Sequence, residues 1–116
     1  MKFLHATIQT NKFNEEVTFY EKYVGLTIQT DMRPSGRNMV FLADSENETS
    51  IEIIENPNAP VINNENISIG FKTDNLEEKR NQLSADRFNV TEIISPMPQV
   101  KFFFTNDPAG MKVQFM

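Results

Sequence analysis

The chain has no cysteine. Disulfides, thiolate metal sites and cysteine nucleophiles are excluded with it. Basic charge is also scarce. Eleven Lys and Arg stand against 16 Asp and Glu, for a formal net charge of −5 and a pI near 4.8. Nucleic acids and anionic membranes both select a basic face, so neither is expected as a partner. No apolar run approaches the ~20 residues of a spanning helix. Lys2 is followed by no apolar signal core, which leads to the expectation of a cytoplasmic rather than a secreted protein. The glycosylation patterns at Asn47, Asn66 and Asn89 are then expected to be coincidental. Histidine occurs once, at His5, so imidazole chemistry has a single possible origin.

What remains is an ordinary globular mixture on 116 residues, enough for one domain with a modest core. The clearest structural signal is residues 100–116. Lys101 to Thr105 is aromatic and β-rich, Asp107-Pro108-Ala109-Gly110 supplies turn chemistry, and Met111 to Met116 alternates. That alternation puts Met111, Val113 and Phe115 on one face and Lys112, Gln114 and Met116 on the other.

Residues 3–10 read as a strand with Phe3, His5, Thr7 and Gln9 on one face. A helix follows, capped by Asn11 or Asn14, with Glu15 and Glu16 in its first turn and Phe13, Val17, Tyr20 and Val24 as a buried stripe. Gly25 ends it. Strands are expected at 26–32, 38–43 and 49–55, with a turn at Pro34-Ser35-Gly36. In the last of these strands Ser50, Glu52 and Ile54 face opposite to Ile51 and Ile53. Residues 57–66 read as a linker between a first module, 1–56, and a second, 67–116. The second repeats the order. A strand at 67–73 precedes a helix capped by Asp74 or Asn75 and running to about Asp86. A strand at 88–95 follows, then a turn at Pro96-Met97-Pro98 and the two final strands.

The order strand–helix–strand–strand–strand thus occurs twice. His5 to Phe13 lies over Ser68 to Leu76, and Ile51 to Ile53 over Val113 to Phe115. Half a chain of this size does not easily close a sheet of its own. Two curved four-stranded halves with helices outside share a concave surface instead.

Together, His5, the run Phe19-Tyr20-Glu21-Lys22-Tyr23-Val24-Gly25-Leu26, Glu52, and the ending Asp107 to Phe115 resemble the vicinal oxygen chelate superfamily. This is the glyoxalase, bleomycin-resistance and extradiol-dioxygenase group. The resemblance implies an α+β fold of two βαβββ modules, with a curved mixed sheet around a central cavity. It also implies a homodimer, with modules paired within one chain or across two. Members with chemistry hold a divalent metal on four inward side chains, which here fall on His5, Glu52, Ser68 and Gln114. His5, Glu52 and Gln114 are then candidate ligands for Mn, Fe, Ni or Zn, and Glu52 is also a candidate proton-transferring base. Ser68, Phe102 and Phe104 would line a substrate pocket. Ser68 stands where His is common in the family, and Gln114 where Glu is common.

Two functions follow from the resemblance. One is a metal-dependent lyase, isomerase or dioxygenase acting on a small substrate with vicinal oxygens. The other is a metal-free protein that sequesters a ligand, as in the bleomycin-resistance branch, and the acidic charge suits a cationic one. Arg33, Arg37 and Lys101 read as solvated surface cations, and the Phe102-Phe103-Phe104 run as core and strand propensity.

Overall fold

A computed structural model describes residues 1–116. The chain divides into two compact units, residues 1–61 and 62–116.

The first unit contains β1 (His5–Thr10), α1 (Phe13–Phe19), β2 (Thr27–Asp31), β3 (Met39–Ala43) and β4 (Ser50–Glu55). Its sheet runs β1-β4-β3-β2. β1 is parallel to β4, and β3 is antiparallel to both β4 and β2. A parallel neighbour requires a crossover connection, and the intervening helix and two strands supply one. The expected alternation holds. Ile8, Val40, Leu42, Ile51 and Ile53 are buried, and α1 packs against β4.

Two local features of α1 depart from expectation. The residue before its first turn is Lys12, not Asn11 or Asn14, and the Thr10 hydroxyl accepts its N–H at 2.9 Å. No side chain caps the first turn itself. Beyond Phe19 the helix widens into a π-helical turn, Tyr20–Val24, closed by Gly25 at φ 80°. Widening rotates the inward face. Tyr20 and Tyr23 are buried there, whereas Val24 is half-buried. Glu15 and Glu16 lie in the first turn as expected, and Glu16 is fully buried there.

The second unit contains β5 (Ser68–Phe71), α2 (Leu76–Ala85), β6 (Ile94–Met97), β7 (Val100–Asn106) and β8 (Lys112–Phe115). Its sheet order, β5-β8-β7-β6, repeats that of the first. Asn75 caps α2. Its side chain accepts the Glu78 N–H at 3.1 Å, and the Glu78 carboxylate accepts from the Asn75 amide at 3.0 Å. Phe103 stacks on Phe115 at 5.5 Å between ring centres, and Val113 and Leu83 complete the buried set. The turn at Asp107 to Gly110 forms as its sequence requires. The Asp107 carbonyl accepts the Gly110 N–H, its carboxylate accepts the Met111 N–H, and Gly110 sits at φ 98°.

One expected stretch is wrong. Residues 88–95 do not form a strand. Val90 makes an isolated bridge to Thr105, and the strand proper is Ile94–Met97. Pro96 and Met97 therefore lie inside β6 rather than in a turn. β6 is the edge of its sheet and its register against β7 is irregular, which is where a residue without an N–H is tolerated. No helix in the chain is long and apolar enough to cross a membrane.

Candidate functional site

The face of the first sheet opposite α1 carries the polar cluster. Parallel register places Thr7 beside Glu52 and His5 beside Ser50, and the antiparallel neighbour of Glu52 is Phe41. Strand parity sends Ile51 and Ile53 into the core and leaves Glu52 between them on the other side. The Thr7 hydroxyl donates to Glu52 Oε1 at 2.5 Å. His5 Nε2 lies 3.6 Å from the same oxygen, and the imidazole meets the Phe41 ring edge-on at 5.4 Å. The side chain of Glu52 is 12% exposed and that of His5 32%, so the carboxylate is recessed while the imidazole reaches solvent. A recessed carboxylate needs a donor, and Thr7 provides it.

The corresponding face of the second sheet holds Ser68, Phe104, Lys112 and Gln114. Ser68 is the partner of Lys112, while Gly70 and Phe104 flank Gln114. A Cβ at Gly70 would lie 3.3 Å from Gln114 Oε1, so the amide rests against bare backbone. Lys112 Nζ sits 4.3 Å from the centre of the Phe104 ring and 3.5 Å from a carboxylate oxygen of Glu65. Phe102 and Phe104 are half-buried and meet edge to face at 5.5 Å, whereas Phe103 points into the core.

Whether these donors suit a divalent ion follows from their chemistry. Two ligands on one ion are about 3 Å apart at a right angle and about 3.4 Å apart at a tetrahedral angle. The 3.6 Å between His5 Nε2 and Glu52 Oε1 is near that range, so the first unit offers a pair. The second offers a hydroxyl and a neutral amide with an ammonium on the same face. Nowhere do three His, Cys, Asp or Glu side chains converge. The first unit alone supplies both an imidazole and a carboxylate.

Thr7, Phe41 and Lys112 were not singled out as site residues in the sequence, although Thr7 shares a strand face with His5 and Lys112 with Gln114, while Phe41 reaches the cluster only through its register opposite Glu52. Arg33 forks onto Asp31, its Nε and Nη2 donating to the two carboxylate oxygens at 2.9 and 2.7 Å. An open polar depression beside α2 is lined by Glu77, Arg80, Asn81, Glu92 and Ile93. Its arginine is already committed to the Thr91 carbonyl and to Glu92.

Comparison with solved structures shows the same architecture repeatedly. Glyoxalase I of Leishmania major, a trypanothione-dependent enzyme, superposes with a TM-score of 0.78 at 17% identity, over 100% of this chain and 86% of that one. A structure described as a possible glyoxalase from Bacillus cereus gives 0.74 at 18%, over 100% and 98%. TnmS3, an antibiotic-binding protein from Streptomyces sp. CB03234, gives 0.72 at 15%, over 99% and 93%. At these identities the likeness speaks for the fold alone. No curated protein sequence matches. The family profile of the Glyoxalase/Bleomycin resistance protein/Dioxygenase superfamily matches residues 2–115, and with the repeated sheet order and the His5–Glu52 pair already in place, the chain belongs to that superfamily.

Proposed function

We propose that this protein binds a small molecule on its sheet faces, as a ligand-sequestering member of the superfamily, with Glu52 as the acidic anchor in the first unit. The observation that carries this reading is the donor set. Glu52 accepts from Thr7 at 2.5 Å, beside one imidazole, and the matching positions of the second unit are Ser68 and Gln114. A recessed carboxylate next to an aromatic ring suits a cationic group on the ligand. TnmS3 is a precedent for binding on this fold.

A second reading is favoured by the 3.6 Å spacing of His5 Nε2 and Glu52 Oε1. In it His5 and Glu52 would hold a divalent ion, which would supply Lewis-acid stabilisation of an oxyanion. The enzyme is then a lyase, isomerase or dioxygenase on vicinal oxygens, and Glu52 serves as ligand or proton-transferring base. Ser68, Phe102 and Phe104 line the substrate side. We infer a homodimer in either case. The edge strands β1 and β5 are preceded by exposed Phe3, Leu4 and Ile67, which suit pairing between chains.

The deciding experiment is calorimetry and melting of the full chain with Mn, Fe, Ni and Zn, and separately with benzylammonium. Sequestration predicts that benzylammonium raises the melting temperature and that Glu52→Gln abolishes the rise. Stoichiometric metal retention that is lost in His5→Ala overturns sequestration and establishes the second reading.

A further inference from the structure

Where the first sheet face has Ser50, the second has a lysine. Lys112 is the register partner of Ser68 and shares a face with Gln114. Its side chain is 24% exposed, and its ammonium is held 4.3 Å above the Phe104 ring. A lysine on a surface strand ordinarily extends its head into water. Here the head stays over the sheet. Its carboxylate neighbour, Glu65, lies outside the strands at 3.5 Å and is 75% exposed. A long, solvated ion pair contributes little, so another carboxylate displaces Glu65 at small cost.

The surroundings define what that carboxylate is attached to. Gly70 leaves the face open beside Gln114, since any side chain there would press on the amide at 3.3 Å. The Gln114 amide brings two N–H donors to the same face as the ammonium. Phe102 and Phe104 extend the face along β7 as two half-buried rings that meet edge to face. An ammonium and an amide beside two half-buried aromatic rings match an anion with an aromatic body.

We propose that this face binds an aromatic carboxylate, its anion on Lys112 and the Gln114 amide and its ring along Phe102 and Phe104. The proposal rests on the reading of the sheet faces as ligand-binding surfaces, and adds the ligand's charge and shape at the second one. A cationic aromatic is repelled by Lys112, and an anion without a ring forfeits the contact with the aromatic pair on β7.

The test is a titration of the isotope-labelled full chain with benzoate, followed by NMR at the backbone amides of β5 and β8 and at the Gln114 side-chain amide. Benzoate is expected to give saturable shifts at Ser68, Gly70 and Gln114. Lys112→Gln is expected to weaken binding about tenfold or more. Glu65→Gln, which removes the competing carboxylate, is expected to tighten it about twofold. Neither position is in the core, and circular dichroism checks that both variants keep the fold. Equal benzoate affinity in wild type and Lys112→Gln overturns the proposal. So do shifts of these amides by benzylammonium or benzyl alcohol but not by benzoate, an outcome that leaves the sheet faces as ligand surfaces. If none of the three probes shifts either sheet face, the proposal and the reading beneath it fall together.

Discussion

The two units share one plan and put different chemistry on it. Strand order and pairing are the same in both. Glu52 lies between Thr7 and Phe41, and Gln114 lies between Gly70 and Phe104. The first unit fills its places with an acid, a hydroxyl that donates to it and an imidazole. The second fills them with an amide, an absent side chain and a serine, and adds Lys112. The helices differ as much. α1 buries Phe13, Glu16, Val17 and Phe19, while α2 buries Leu83. The plan depends on the residues packed in the core of each unit, so the opposite face of each sheet is free to change without disturbing it.

The largest expected effect separates the helices. Leu83→Ala should cost about 2–5 kcal/mol and leave α2 without its buried anchor. Phe13→Ala should cost a comparable amount while α1 keeps its remaining contacts. Urea unfolding gives the cost, and hydrogen exchange shows the contrast: α2 amides lose protection in the first variant, and α1 amides retain it in the second. Unchanged α2 protection in Leu83→Ala would break the comparison. A smaller effect tests the equivalence of the faces. Ser68→His combined with Gln114→Glu gives the second unit the donor pair of the first. Divalent-ion affinity by calorimetry should rise about tenfold, or about 1.4 kcal/mol, and no gain would mean that the positions are not counterparts.

The smallest effect concerns acid. The hydrogen bonds from Arg33 hold the Asp31 carboxyl below its ordinary value of 3.8. A folded-state value below the unfolded one means that the pair's contribution is fully present above the unfolded value. It is lost as pH falls through the folded value. Asp31→Asn should therefore show a slightly flatter loss of stability in acid, read from urea midpoints at neutral pH and below about pH 4.

Much of this was legible in the residue order. Alternation separated Glu52 from Ile51 and Ile53, and Gln114 from Val113 and Phe115, because each strand buries one side. The Asp107 to Gly110 turn was legible because aspartate, proline and glycine each have a defined task in it. β6 was misplaced because Pro96 and Pro98 read as turn residues, and only the sheet order shows that the strand is an edge. The π-turn leaves no local signature in Tyr20–Val24. The bond from Thr7 to Glu52 crosses between strands 45 residues apart, so it depends on register. The shared face of Lys112 and Gln114 was visible in the alternation, but the ring beneath the ammonium belongs to another strand.

Both units place their fourth strand next to their first, inside the sheet rather than at its far edge. During synthesis β1 has no permanent neighbour until Ser50–Glu55 emerges, and β5 none until Lys112–Phe115 does. The polar face of each sheet is thus completed by the last strand of its own unit to leave the ribosome. A chain stalled before that point presents an unpaired first strand to chaperones and leaves the sheet face of that unit unfinished.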